Sequence, residues 1–568
     1  MTDAKTDRPT DSARLEEVSL SLQNLSFCES NASSVSDWVA NLPLTNINET
    51  ASQLRNATSE LAQLNLEGGA KYGCLEAVRP ALHYVCSRLD RSRSADLDSR
   101  ELLENLCTGY KGVIQTLMPG SEKQKSADRE VLSKGLHRLL SDMSRILLRA
   151  LQNYTQPPQN FWWELNELFR LAEAMELTQF RMDDDENHAG QALTIEETYI
   201  RSLLLVTCKA NQLQKSDINI IFSALELWAE HVVLSHDIKD ALLTVDLLAN
   251  RGPAYQASKS DKGELRALRT EVLAYEIEAY LKNVSTNISI PDTLSDSLLE
   301  HLIAAWTLVQ ERNFGRQRSD ASLRFCAGLS AAHFFLSGGV DFTAQLSSPD
   351  ALLRREVNPF LDVTYGNADE RRDSDDPWSQ TGDGGIKIPE NPNVEAPEMI
   401  LLEQNRVERP AVVYEHLEAR AVDTSPSGYQ IQWLDDGSQK MIVGDLIALR
   451  EEKDQRWCIA VIRWMSNDRG ITRMGVQLLA PKAIPVAVRT IQKKGGPSDY
   501  ARGLLLPELR ALKQEATLIT PKVPFATGHK VHVHRQGLQT TAQLLKTKEK
   551  TESFNQFTFR MLDGYLET

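Results

Sequence analysis

The sequence lacks several features that would place it in a familiar class. No run of apolar residues approaches the about 18 to 20 needed to cross a bilayer, and LLLVTC after Ser202 is far too short. The first residues, MTDAKTDRPTDSARLEE, carry neither the basic region nor the apolar core of a signal peptide. The expectation is a cytoplasmic chain with no membrane insertion. P-loop, GxGxxG between strand and helix, GxSxG and HExxH patterns are all missing. Nothing singles out a catalytic pair, so the expectation is a protein that is not an enzyme, with no catalytic residues and no cofactor. The seven cysteines, at 28, 74, 86, 107, 208, 326 and 458, are odd in number and form no CxxC pair. They read as small core residues of a reducing compartment and not as a disulfide or zinc framework. Positive charge is also short: a net charge of -15 argues against non-specific nucleic-acid binding by the whole chain, while leaving room for a local basic site.

What is present divides along the chain. At 568 residues the sequence is too long for one core and suggests three or four units. From about Leu15 to Gly339 the text is a series of helical patterns, among them SKGLHRLLSDMSRILLRALQNY, FWWELNELFRLAEAMEL and INIIFSALELWAEHVVL. Each has apolar residues at i, i+3, i+4 and i+7, the spacing that makes one helix face apolar. Helix starts are marked by Ser216-Asp217 and by Pro291-Asp292, and breaks by QPPQN and NRGPAYQ. No clean repeat period emerges, so the region reads as an irregular α-solenoid, with an irregular bundle as the other arrangement. Its aromatic residues, as in NFWWEL, ELWAEH and AAWTL, read as core, or as a groove for a partner helix.

Past Thr364 an Asp-, Gly- and Pro-rich stretch reads as a linker, and from about Leu401 the period switches to two. RPAVVYEHLE, YQIQWL, DLIALREE, WCIAVIRWM and RMGVQLLA are separated by turn signals and suggest a small closed barrel. EATLITPK, HKVHVHR, TTAQLLKTKEK and NQFTFRMLD form a second β-rich set. The expected fold class is therefore α+β as separate domains, an N-terminal all-α region followed by C-terminal all-β barrels. The expected boundaries are a disordered 1–14, a helical interaction domain 15–363, an acidic Pro/Gly-rich linker 364–400, a first barrel 401–485 and a basic second β unit 486–568. Residues 486–550 hold twelve Lys and Arg against four Asp and Glu, a local charge of +8, read as a solvated face or as a site for phosphate, nucleic acid or an acidic partner. His532 and His534 share one strand face with His529 nearby, a metal-like spacing without an acidic or Cys partner close in sequence.

Three landmarks stand in order within 401–480: DTSPSG at Asp423, Ser425 and Gly428; VGDLIAL; and WCIAVIRWMSNDRGITRMGVQLL. Together they resemble a PilZ domain, the small β-barrel with which bacteria sense cyclic di-GMP, through its [D/N]xSxxG motif and paired GxVRW and GVxF strands. The resemblance implies cyclic di-GMP as ligand. A short carboxylate accepts from the N1 and N2 hydrogens of guanine, a serine adds an adaptable polar contact, and glycine permits close backbone approach and a turn with positive φ. It further implies that an RxxxR segment ahead of the barrel holds the phosphates through planar guanidinium forks. Here the segment is NRVERPAV, an RxxR at Arg406 and Arg409, whose side chains on an extended strand would point to opposite faces. Arg420, Arg463 and Arg473 are further candidate cations.

A long helical region fused to such a barrel is similar to proteobacterial cyclic di-GMP effectors of surface attachment and type IV pili. The reading is a receptor that binds the messenger at Arg406, Arg409, Asp423, Ser425 and Gly428 and relays it to an unidentified protein partner through the helical region. Ordering of the linker on binding is the expected relay. Two alternatives stand beside it: an interaction scaffold with a non-binding barrel, and a nucleic-acid-binding regulator that uses the basic β unit.

Overall fold

The computed structural model describes residues 17–89, 95–118, 126–187, 190–255, 263–307, 317–346, 414–434, 441–454, 456–468, 470–491, 498–508, 514–535 and 537–563. The chain forms two compact units, Met1–Asn313 with Ser466–Asp468, and Phe314–Met465 with Arg469–Thr568.

In the first unit, helices α1 (Ala32–Ala40), α2 (Ile47–Gln63), α3 (Gly68–Leu89), α4 (Ala95–Leu117), α5 (Ser126–Gln152), α6 (Phe161–Ala174), α7 (Ile195–Thr207), α8 (Lys215–Trp228), α9 (Glu271–Leu281) and α10 (Asp296–Thr307) follow the predicted apolar periodicity. Local chemistry sets their starts: Asn31 accepts from the Ser34 amide, and Thr194 with Glu197 forms a reciprocal capping box over α7. The α5 helix is buried on nearly every side, with an unbroken buried run from Gly135 to Ser144. A helix enclosed in this way is the centre of an irregular bundle, since a solenoid leaves one face of each helix open. The predicted core tryptophans are there: Trp228 and Trp306 are fully buried and pack edge to face with centroids 6.4 Å apart.

Arg138, Ser141 and Asp142 of α5 belong to one buried ionic network. Arg79 of α3 bonds Asp142 at 3.0 Å and Asp184 at 2.7 Å; Arg138 bonds Asp184 and Glu76, each at 3.0 Å; and His83 bonds Asp142 at 3.0 Å. Burial opposes ionisation of Asp142, but Arg79 and His83 outweigh it and hold the carboxyl at about 2. Burial pushes His83 down to about 4 and does the same to His137.

The expected helical span 15–363 needs two corrections. First, Val233–Arg269 holds a four-stranded antiparallel sheet of β3 (Val233–Ser235), β4 (Leu243–Asp246), β5 (Ala254–Tyr255) and β6 (Leu265–Arg269), in addition to the short pair β1 (Arg181–Met182) and β2 (Leu193–Thr194). Second, β7 (Gln317–Arg318), β8 (Ser322–Ala327), α11 (Leu329–Leu336) and α12 (Phe342–Gln345) precede the expected linker yet belong to the second unit. The β8 segment, SLRFCA, pairs antiparallel with two strands that lie about a hundred residues later, and no local pattern reports such partners. The apolar α11 that follows also prolongs the helical pattern and hides the boundary.

The second unit continues with β9 (Leu417–Ser425), β10 (Gly428–Leu434), β11 (Leu446–Glu451), β12 (Cys458–Asp468) and β13 (Ile471–Ala480). Their sheet runs β10-β13-β12-β11-β8-β9-β7, and the additional β10–β9 pairing closes it into a ring that includes β8. A closed barrel follows, ordered β14-β15-β16-β19-β18-β17, from β14 (Ile484–Thr490), β15 (Ala501–Leu506), β16 (Thr517–Thr520), β17 (Lys530–Arg535), β18 (Leu538–Lys550) and β19 (Asn555–Asp563). β14 and β15 were not among the expected strands. One apolar cluster joins Cys326 and Leu329 with Leu446, Ile459, Leu504 and Phe554, so the two barrels share a core under α11. No helix among the described residues is long and apolar enough to cross a membrane.

Candidate ligand-binding face

The predicted motif lies on the β9–β10 hairpin. Pro426 and Ser427 form its two-residue turn, and the register pairs Ser425 with Gly428, Asp423 with Gln430 and Arg420 with Gln432. A register shift beside Gln430 and Ile431 keeps Ala421 opposite Ile431 despite the extra residue, Val422. On its other edge β10 pairs Gly428 with Gln477, Gln430 with Gly475 and Gln432 with Arg473. Directly paired residues share a sheet face. Ile431 and Trp433, buried in the barrel, alternate with Gln430 and Gln432, so the motif rows face outward.

Three rows therefore cross the outer wall: Ser425, Gly428 and Gln477; Asp423, Gln430 and Gly475; Arg420, Gln432 and Arg473. Gly428 is absent from the positive-φ glycines, which corrects the expected turn conformation. Its requirement is spatial: a β-carbon there would overlap the carbonyl oxygen of Val476 on β13. Gly475 meets the same requirement on β13, where a β-carbon would overlap the indole of Trp464. With no side chain at either position the wall stays low here, a shelf on which the Trp464 indole fills the place a side chain at Gly475 would take. Ser425 donates to the Gly428 carbonyl at 3.3 Å and lies 3.2 Å from the Ser427 hydroxyl, which holds the turn.

Guanidinium groups border the shelf. Arg473 donates through Nε to Gln432 at 3.2 Å. Arg420 is 75% exposed and only 3.7 Å from Asp320, a loose pair. Arg463 of β12 donates through Nε to Gln477 at 2.7 Å and through both terminal nitrogens to Glu549 of β18, at 2.6 and 3.1 Å. Beside Arg420 and Gln432 opens a cleft of about 780 Å³, lined also by Ser319, Asp320, Arg324 and Glu418. Arg406 and Arg409, the expected clamp, lie outside the described residues.

The structure thus brings Asp423, Ser425 and Gly428 onto one face and adds Gln430, Gln432, Gln477, Gly475 and Trp464, which the sequence reading did not select. The alternation in YQIQW was the signal for the two glutamines; the glycine shelf has no sequence signal of its own. A carboxylate, a hydroxyl, carboxamides and guanidinium groups around a flat floor suit a planar, hydrogen-bonding, anionic ligand.

Elsewhere, His532 is half-buried with Nδ1 3.3 Å from the Gln539 side chain, and His534 is buried. No group of three or more His, Cys, Asp or Glu side chains that could hold a metal occurs among the described residues. Arg489 of the basic segment lies over the Tyr500 ring at 4.4 Å, and Lys522 pairs with Glu552, so some of that charge serves the second barrel itself.

Comparison with known families gives three consecutive matches. Residues 33–240 match the N-terminal domain of the cyclic-di-GMP receptor FimW, residues 242–485 its middle PilZ domain, and residues 486–562 its C-terminal β-barrel domain. The chain belongs to the PilZ-domain cyclic di-GMP receptor family. The cyclic-di-GMP receptor FimW of Pseudomonas aeruginosa is 29% identical over 574 residues, covering 95% of this chain and 92% of that protein. No solved structure matches. The PilZ match spans both β8 and the motif hairpin, in agreement with the ring that β8 completes.

Proposed function

We propose that this protein is a cyclic di-GMP receptor, without enzymatic activity, that works in the cytoplasm. The observation that carries the reading is the outward face of the PilZ barrel, where Asp423 and Ser425 stand beside the glycine shelf within the segment matched by the family's PilZ domain. Asp423 accepts from a guanine edge, Ser425 contributes an adaptable hydroxyl, and arginines neutralise the phosphodiesters. Arg406 and Arg409 remain proposed members of this site, with Arg420, Arg463 and Arg473 as the cations already at the shelf.

The helical unit then presents the bound state to a protein partner, in control of surface attachment, pili or motility. Exposed Val272, Tyr275 and Tyr280 on α9, with Val284 just beyond it, support an interaction role, since exposed apolar side chains in one region mark contact surfaces. Calorimetric titration of the full chain with cyclic di-GMP tests the receptor reading. A saturable heat at tens of micromolar ligand is expected, and its absence would sink the proposal.

A further inference from the structure

The Arg463 ion pair ties the motif face to the second barrel. Its residues are placed by groups that do not depend on the pair. Phe554, fully buried, sits in the apolar cluster shared by the two barrels, and Ser553 Oγ donates to the buried Asp445 carboxylate. These contacts dock the β18–β19 hairpin on the PilZ barrel and carry Glu549, 16% exposed, up to Arg463. Arg463 is in turn anchored on Gln477, the residue opposite Gly428 in the motif row.

A guanidinium offers two bidentate edges: its two terminal nitrogens, or Nε with one of them. In Arg463 the terminal edge is taken by Glu549 and the Nε–H by Gln477. A phosphodiester on the motif face can gain a bidentate hold on this arginine only by displacing one of those acceptors. Gln477 is neutral and lies in the binding row itself; Glu549 carries the competing charge.

We infer that Glu549 of the second barrel is a built-in competitor for Arg463, so that ligand affinity at the motif face is set by the C-terminal barrel and ligand binding releases Glu549. This rests on the receptor reading above. It gives the second barrel a role, as the element that restrains one cation of the site and that senses when the restraint is lifted. Coupling of this kind is reciprocal: whatever weakens the Glu549 contact strengthens ligand binding, and ligand binding weakens the Glu549 contact.

The test is a double-mutant cycle on the full chain, with cyclic di-GMP affinity read by calorimetry. Glu549→Gln keeps the side-chain shape and leaves Phe554 and Ser553 in place; it should tighten binding by about tenfold, the change expected when a charged competitor becomes neutral. Arg463→Ala should weaken binding, and in that background Glu549→Gln should have no further effect. Hydrogen exchange supplies a second readout: added ligand should raise exchange at Lys548 to Glu552 in the wild type and leave it unchanged in Arg463→Ala. Equal affinity of Glu549→Gln and wild type, or the same gain with and without Arg463, would overturn this inference while leaving the receptor reading intact. If the wild type itself fails to bind, both fall. Circular dichroism and thermal unfolding of each variant separate a binding change from a folding defect, and Arg463→Lys, which keeps the charge without the fork, should fall between wild type and Arg463→Ala.

Discussion

Arginine is used in opposite ways by the two units. In the helical unit Arg79 is 3% exposed and its guanidinium is shared by two buried aspartates. On the barrel's outer face Arg420 is three-quarters exposed and, among the described residues, pairs loosely with Asp320 at 3.7 Å. The first kind of arginine is committed: its charge left water at a cost of several kcal/mol, and only the full set of partners offsets that cost. The second kind keeps most of its hydration and is available to an incoming anion. A guanidinium therefore marks a binding face by what it has not yet paired with, and sequence alone cannot separate the two.

The sharpest way to break this contrast is to remove one arginine of each kind. Arg79→Ala should cost about 3–5 kcal/mol of stability, because Asp142 and Asp184 would remain buried with too little positive charge, and urea unfolding would show it as a lower midpoint. Arg420→Ala should stay within about 0.5 kcal/mol of wild type in the same assay. Equal losses would end the distinction.

Next in size is the glycine shelf. Gly428→Ala forces a β-carbon against backbone, which cannot swing aside, and should destabilise by roughly 1–3 kcal/mol. Gly475→Ala first meets the Trp464 side chain, not backbone, and should cost less while shifting tryptophan fluorescence.

Acid probes the buried network without mutation. His83 and His137 titrate near 4 in the fold, and an exposed imidazole titrates near 6.5, so between those values the unfolded chain binds more protons. Stability should fall as pH drops from about 6.5 towards 4. Below about 4 the unfolded carboxyl of Asp142 protonates while the folded one resists to about 2, which extends the loss. A urea midpoint unchanged between pH 7 and pH 5 would contradict the buried neutral histidines. The smallest effect on stability, within about 0.5 kcal/mol, is expected for Asp423→Ala and Ser425→Ala, each of which should still weaken cyclic di-GMP binding by about tenfold.

Much of this architecture was legible because it is local. Helical periodicity in α5 and α8, strand alternation in β10, and the DTSPSG turn are written in residues that touch neighbours a few positions away. The residues 347–413, which include Arg406 and Arg409, lie outside the described structure, and the clamp that the family resemblance implies at them stays a proposal.

The sequence by itself determined the helix-to-strand switch, the negative charge, the motif and its family. Tertiary structure alone decided that SLRFCA completes a barrel with strands a hundred residues later, that Gly428 serves close approach and not a positive φ, and that Glu549 faces Arg463. The physical reason is common to all three. Hydrogen bonding between distant strands, contact with a neighbouring backbone and the approach of opposite charges depend on positions in space, and chain order specifies those only after the strands have found their register.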